Sequence, residues 1–223
     1  MDWQPLVLTF KLAAITTAIL FVISIPIANW LSNTKSKIRP VIETLVSMPL
    51  VLPPTVLGFY MLVAFSPENA LGSWLNEWLG IKLIFSFGGL VLASIIYSLP
   101  FMVQPIQAGL SSLPSTLQEA SYTMGKSKFT TLLKVLLPNI KPSLLTGVVL
   151  SFAHTVGEFG VVLMIGGNMP GKTKVASIAI YDEVEALNYQ AANSYSLILF
   201  SITFIILLLV YLTNGGYFKR FVP

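Results

Sequence analysis

Apolar residues gather into five runs long enough to cross a bilayer, at 12–30, 45–65, 83–108, 143–165 and 195–213, with short polar stretches between them. A spanning helix needs about 20 mostly apolar residues. The pattern therefore predicts an all-α integral membrane protein with about five transmembrane helices in one transmembrane domain over residues 1–223. The first run is not read as a secretory signal: Asp2 stands where a basic start belongs, the apolar stretch is too long, and positive charges follow it. The connections 66–82 and 166–194 are modest. The second contains an apolar spacing at 178–187 that suits a short helix lying on the membrane surface. The connection between the third and fourth runs is too polar to span and reads as two short helices.

Composition agrees. Of 223 residues, 55% are hydrophobic and only 10% are charged, against roughly 25% charged in soluble domains. Mean hydropathy is +0.80. Disorder is excluded by the same abundance of Leu, Ile, Val and Phe. The net charge of +4 reflects topology, not a nucleic-acid footprint. Lys35, Lys37 and Arg39, then Lys126, Lys128, Lys134 and Lys141, then Lys219 and Arg220 in the tail all fall on one side of a five-span chain. Lys82, Lys172 and Lys174 fall on the other. That asymmetry puts the N-terminus outside and the C-terminus in the cytoplasm.

The chain has no cysteine and one histidine, His154, so no thiol nucleophile, Cys-based metal centre or polyhistidine site is expected. One motif invites a nucleotide reading. Gly166-Gly-Asn-Met-Pro-Gly171-Lys172-Thr173 fits the phosphate-loop pattern. We reject it: no other stretch supplies a parallel sheet, Asp182 follows too closely for a crossover, and the topology places the loop outside. No cofactor is expected in this chain.

The cytoplasmic connection, about 113–138, is the most informative segment. Ser115 or Thr116 is placed to cap its first helix, with Gln118 or Glu119 as the capping-box partner. Gly125 suits the left-handed residue that ends a helix. The stretch 126–136 then sets Phe129, Leu132, Leu133 and Leu136 on one side, and Pro138 stops it. By chemistry alone this is also compatible with an ordinary interfacial loop. The spacing, however, is Glu119-Ala120-Ser121, three residues, Gly125, nine residues, then Val135, Leu137 and Pro138. It resembles the EAA loop of ABC importer permeases, departing at Ser121 and Val135. The resemblance implies the type I permease fold. It also implies a coupling helix that docks on a separate ATP-binding subunit, where ATP and magnesium would reside.

The second run contains Pro49, Pro53, Pro54, Thr55 and Gly58. Three prolines remove three backbone donors, and irregular backbone at membrane depth is tolerated only where protein or water receives it. A half-helix starting at Pro54 would point a partly positive end, with free N–H groups, inward from mid-membrane. That suits a passing oxyanion, with Thr55 adding a hydroxyl; the same prolines also read as a plain structural kink. In the fourth run Ser151, His154 and Glu158 share a helical face. An ionised Glu at the bilayer centre costs about 2.5–3.5 kcal/mol on insertion scales. Glu158 is read as structural, bonded to His154 or across a subunit interface, with a gate or a proton relay as alternatives.

With 156–160 (Val-Gly-Glu-Phe-Gly), 166–171 and 179–181, the Pro-Pro-Thr-Val-Leu-Gly run resembles molybdate/tungstate permeases over roughly residues 5–218. Sulfate permeases are similar. The resemblance implies an inner-membrane protein of a prokaryote that catalyses nothing covalent. It implies two copies joining two ATPase subunits and a soluble oxyanion-binding protein on the outer face. In that frame Pro53, Pro54, Thr55, Gly58 and Glu158 become candidates for the substrate path. Lys172 and Lys174 are candidates to contact the binding protein.

Overall fold

A computed structural model describes residues 2–214, and those residues contain helices and turns but no strand. The tail cations Lys219 and Arg220 lie outside the described residues. The first helix, α1 (Gln4–Asn33), packs against α5 (Phe87–Ser111) and α9 (Lys141–Val156), which also pack on each other. Close approach is possible because α1 buries small residues at helical spacing: Thr9, Ala13, Thr16, Thr17, Ser24 and Ala28. On α9, Gly147 does the same against Met102 of α5, whose Sδ would lie 2.9 Å from an added Cβ.

The second run is not one kinked helix. It divides into α2 (Arg39–Ser47), a 3-10 turn (Met48–Leu50), an irregular Val51–Pro53 link, and α3 (Pro54–Phe65). The two arms differ in direction by 110°. Three prolines in six residues leave too few amides to carry a helix through. The fourth run is broken as well. Helix α9 ends at Val156, and α10 (Gly160–Gly166) resumes after Gly157–Phe159. Among the described residues three helices are long and apolar enough to span alone; counting 39–50 with α3, and 128–139 with α9 (bent by 81°), as one span each brings the number to five.

Two outer-loop helices frame the bundle. α4 (Ala70–Leu79) was not expected from the sequence. It is amphipathic, exposes Leu71, Trp74 and Trp78, and closes on Gly80 at φ +65°. α11 (Ala176–Glu185) starts two residues before the expected 178 and does not merely lie on the surface. Its Ala176, Ile178 and Ala179 are buried, and the Ala176 N–H donates to Thr9 Oγ1 at 2.8 Å. The last helix, α12 (Tyr189–Asn214), is attached mainly at its outer end, where Tyr195 Oη donates to the Asp2 carbonyl at 2.9 Å. Further along, Phe200, Phe204, Ile205 and Leu208 are exposed, as a lipid-facing helix requires.

The interior separates into layers. Leu20, Leu31, Met102, Ile106, Leu136 and Ile140 belong to one apolar cluster at the cytoplasmic end. Leu12, Met61, Leu90, Val161, Val162 and Ile178 belong to another at the outer end. Between them lies a belt of buried hydroxyls: Thr16 and Thr17 of α1, Ser94 and Ser98 of α5, Ser151 and Thr155 of α9.

Candidate coupling knob and translocation path

The cytoplasmic connection forms α6 (Ser115–Thr123), α7 (Lys128–Thr131), a π turn (Leu132–Leu136) and α8 (Leu137–Asn139). The start of α6 differs from the sequence expectation. Pro114 is the cap residue and no side chain caps the helix, so neither Ser115 nor Thr116 serves. Pro114 holds extended backbone at ψ 139° and leads directly into the helix. The end of α6 is built as expected. Gly125 takes φ +74°. Its N–H donates to the Tyr122 carbonyl at 2.9 Å, and the Lys126 N–H donates to Ser121 at 3.1 Å, the paired bonds of a Schellman stop.

Pro138 does not end the second helix. The chain widens into a π turn, in which the Leu137 N–H donates to the Leu132 carbonyl, and continues to Asn139. The wider turn accommodates a proline that would otherwise clash with the preceding turn. The apolar side is also narrower than expected. Leu132 and Leu136 face the cytoplasmic core, together with Val135, Leu137 and Ile140. Phe129 is 70% exposed and Leu133 is exposed beside it. Tyr122 and Met124 add to this apolar tip, while Glu119 and Ala120 are solvent-facing.

Ser121, which departs from the E-A-A pattern, is buried. Its Oγ lies 2.8 Å from the fully buried Thr131 Oγ1, tying α6 to α7. Removing one hydroxyl of a buried pair strands the other, at about 1–3 kcal/mol, whereas removing both is nearly neutral. Ser121→Ala is therefore expected to lower the thermal midpoint of the purified protein. The double change Ser121→Ala with Thr131→Val is expected to recover most of the loss. An equal or larger drop in the double variant would show that the pair is not the tie.

The two breaks at membrane depth face each other. Pro54 and Thr55 of α3, Tyr97 of α5, and His154, Glu158 and Gly160 line one cavity of about 470 Å³. The half-helix α3 does begin at Pro54, but its first turn offers fewer free donors than expected. The Val56 and Leu57 N–H groups turn back to the Pro53 carbonyl at 2.9 and 3.3 Å. The Thr55 N–H remains as the first-turn donor without such a bond. Gly58 is not part of the cavity wall. It is buried against α10, where an added Cβ would lie 2.9 Å from Met164 Cβ and 3.2 Å from Val161 Cα. Pro53 is exposed at the head of α3.

His154 and Glu158 do not bond to each other. The break after Val156 takes Glu158 off the α9 helix, and each group finds its own serine on α5. Ser94 Oγ donates to Glu158 Oε2 at 2.8 Å, and Ser98 Oγ lies 3.0 Å from His154 Nδ1. The His154 ring is held between Phe101 and Tyr97, with centroids at 4.0 and 4.7 Å. Ser177 Oγ donates to the Glu158 carbonyl at 2.7 Å, fixing the break to α11. Ser94 and Ser98 were missed in the sequence. Their signal was a spacing of four on the third run, matching His154 and Glu158 on the fourth.

The phosphate-loop pattern is a turn. The residues before it, 161–165, are helical, not a strand. Lys172, Thr173 and Lys174 all direct their N–H groups to the Met169 carbonyl, at 2.9–3.1 Å. Thr173 Oγ1 is buried and donates to Gly166 O at 2.6 Å. Lys174 is paired with Asp182 at 2.5 Å, leaving Lys172 exposed beside it.

Broken spans meeting over a mid-membrane cavity that holds Thr55, His154 and Glu158, with a two-helix cytoplasmic knob, define an α-helical membrane permease. The chain belongs to the family of binding-protein-dependent transport system inner membrane components, whose model matches residues 21–218. It is 45% identical, over 94% of its length and 93% of the relative's, to the molybdenum transport system permease protein ModB of Azotobacter vinelandii. It is 32% identical, over 97% of its length and 76% of the relative's, to a probable sulfate transport system permease protein of Zygnema circumcarinatum. Its backbone matches a chain of a bacterial ABC transporter that imports alginate, with a TM-score of 0.79, 17% identity, and coverage of 99% of this chain and 79% of that one. The fold is that of a type I ABC importer permease in the inner membrane.

Proposed function

We propose that this chain is the membrane subunit of an ATP-driven importer of molybdate or tungstate. It works as a pair, with two copies of a separate ATPase below and a soluble oxyanion-binding protein above. ATP and magnesium belong to the ATPase. The knob Glu119-Ala120-Ser121…Gly125…Leu137-Pro138 follows that subunit as it closes, and its exposed Tyr122, Met124 and Phe129 supply an apolar contact. Because Leu132, Leu136 and Ile140 are rooted in the cytoplasmic core with α1 and α5, movement of the knob moves those helices. The path then opens alternately to each side.

The observation that carries the substrate assignment is the cavity at the head of α3, read with the 45% identity to a molybdenum permease. It offers an anion a hydroxyl, a helix N-terminus and a backbone N–H, without a fixed counter-charge that would trap it. Glu158 is held by Ser94 in its wall.

The test is uptake of labelled molybdate into proteoliposomes holding this chain with its ATPase and binding protein, ATP inside, and sulfate as competitor. We expect ATP-dependent uptake that resists excess sulfate. Thr55→Val should lower it about tenfold, the worth of one hydrogen bond to a charged group. Uptake displaced by sulfate would favour the second reading, a sulfate permease, which the 32% identity to such a protein supports. ATP-independent uptake would overturn the importer reading.

A further inference from the structure

We propose that the groove between α2 and α5 is the cytoplasmic half of the substrate path, and that Gln104 is the side chain a permeating anion meets there. The proposal rests on the reading above that the mid-membrane cavity carries an anion.

Gln104 stands 17 residues into α5, about 26 Å from its outer end and about 10 Å from its inner end at 1.5 Å per residue. It is exposed at that depth. An amide facing hydrocarbon would leave donors unpaired, so this face of α5 has to meet water or protein. What it meets is a cavity of about 750 Å³ whose wall includes Glu43, Thr44, Ser47, Leu52 and Gln107.

The position of this groove follows from the broken second span. Val51 and Leu52 line the groove, and Pro54 and Thr55 line the mid-membrane cavity. The two spaces therefore lie on either side of one break, and the apolar Val51–Leu52 corner separates them. A single helix connects them on the facing wall. Tyr97 of α5 lines the upper space, and Gln104, seven residues and about 10 Å further in, lines the lower one.

The chemistry suits exit, not capture. Gln104 spends one N–H on Ser47 Oγ at 3.1 Å and keeps a second. The groove's acid, Glu43, is engaged by Arg39 at 3.3 Å and by Gln107 Nε2 at 2.5 Å. Its charge is thereby compensated and does not bar an anion. A neutral amide gives a leaving oxyanion a hydrogen bond without the hold of a fixed cation.

The chain contains no cysteine, so a single introduced thiol is unique in it. In the complete assembly in proteoliposomes, Gln104→Cys is expected to react with an anionic, membrane-impermeant thiosulfonate from the cytoplasmic side. The rate should exceed that of Phe204→Cys on the lipid face of α12 by at least about tenfold. Reaction no faster than at Phe204→Cys would overturn the proposal. In the same vesicles Gln104→Leu should lower molybdate uptake about tenfold, with binding-protein-stimulated ATP hydrolysis retained and Gln104→Asn close to wild type. Uptake and hydrolysis falling together would assign Gln104 a structural role instead. Should molybdate not be the substrate, wild-type uptake fails while the labelling result still stands, so the two failures are distinguishable.

Discussion

Gly125→Pro is expected to abolish ATP-driven uptake while the chain still inserts and can be purified. Residue 125 sits at φ +74°, and proline is locked near −65°. Proline would also delete the N–H that closes the Schellman stop on the Tyr122 carbonyl. The chain leaving α6 would take another direction, and α7 would no longer meet it at Ser121 and Thr131. Gly125→Ala is a graded control. An added Cβ meets nothing within 4 Å, so its cost is the left-handed backbone alone, about 1–2 kcal/mol. We expect partial uptake for alanine, and more for asparagine, which tolerates that conformation. ATP hydrolysis measured in parallel locates the fault. Basal hydrolysis by the partner should persist while its stimulation by loaded binding protein disappears. Full uptake in Gly125→Pro would remove the knob from the coupling route.

Gly160→Val should have a comparable effect from the opposite side of the path. An added Cβ would lie 2.8 Å from Pro54 Cβ and 3.5 Å from the Thr55 nitrogen. A proline ring is bonded at both ends to the backbone and cannot rotate away, so α3 itself must shift. Overpacking of this kind costs about 1–3 kcal/mol, and here the displaced atoms form the cavity wall. We expect uptake to fall at least about tenfold, with a lower thermal midpoint in detergent. Gly88→Ala, outside the cavity wall, is the control: its added Cβ comes no nearer than 3.8 Å, to Ser86 Oγ. Uptake there should stay near wild type. Normal uptake by Gly160→Val would show that the seam between α3 and α10 does not shape the path.

Much of this architecture was legible in the sequence because lipid imposes simple rules. Five apolar runs, a lysine bias and the 119–138 spacing locate the bundle and its knob. The breaks were only half legible. Pro53 and Pro54 announce that α3 starts there, but the 110° turn depends on α10 receiving α3 across Gly58 and Gly160, a contact between runs a hundred residues apart. The break at Gly157 was invisible for the same reason: Glu158 leaves its helix to meet Ser94 and Ser177 on two other elements. A helical face drawn on one run put it beside His154. α4 was hidden by its amphipathic composition, since Leu71, Trp74 and Trp78 among polar residues fall short of a span and pass for a loop. The π turn escaped because proline rules predict a stop, while tertiary packing of Leu136 and Ile140 drew the chain onward.

The buried hydroxyl belt changes how neighbouring helices can move against each other. The apolar packing above and below it is close-fitted, and opening a gap there would forfeit contacts on both sides. Hydroxyls behave otherwise. Ser98 already touches both His154 and Thr155, and such a group can pass its bond to a neighbour with little net change in energy, because one partner replaces another of like strength. α1 and α5 nevertheless run unbroken through the belt, giving Leu20 and Met102 to the cluster below it and Leu12 and Leu90 to the one above, so the two layers cannot slide over one another. The exchangeable contacts lie between helices, where Ser98 of α5 meets His154 and Thr155 of α9. What they ease is the adjustment of α9 against α5 at mid-membrane.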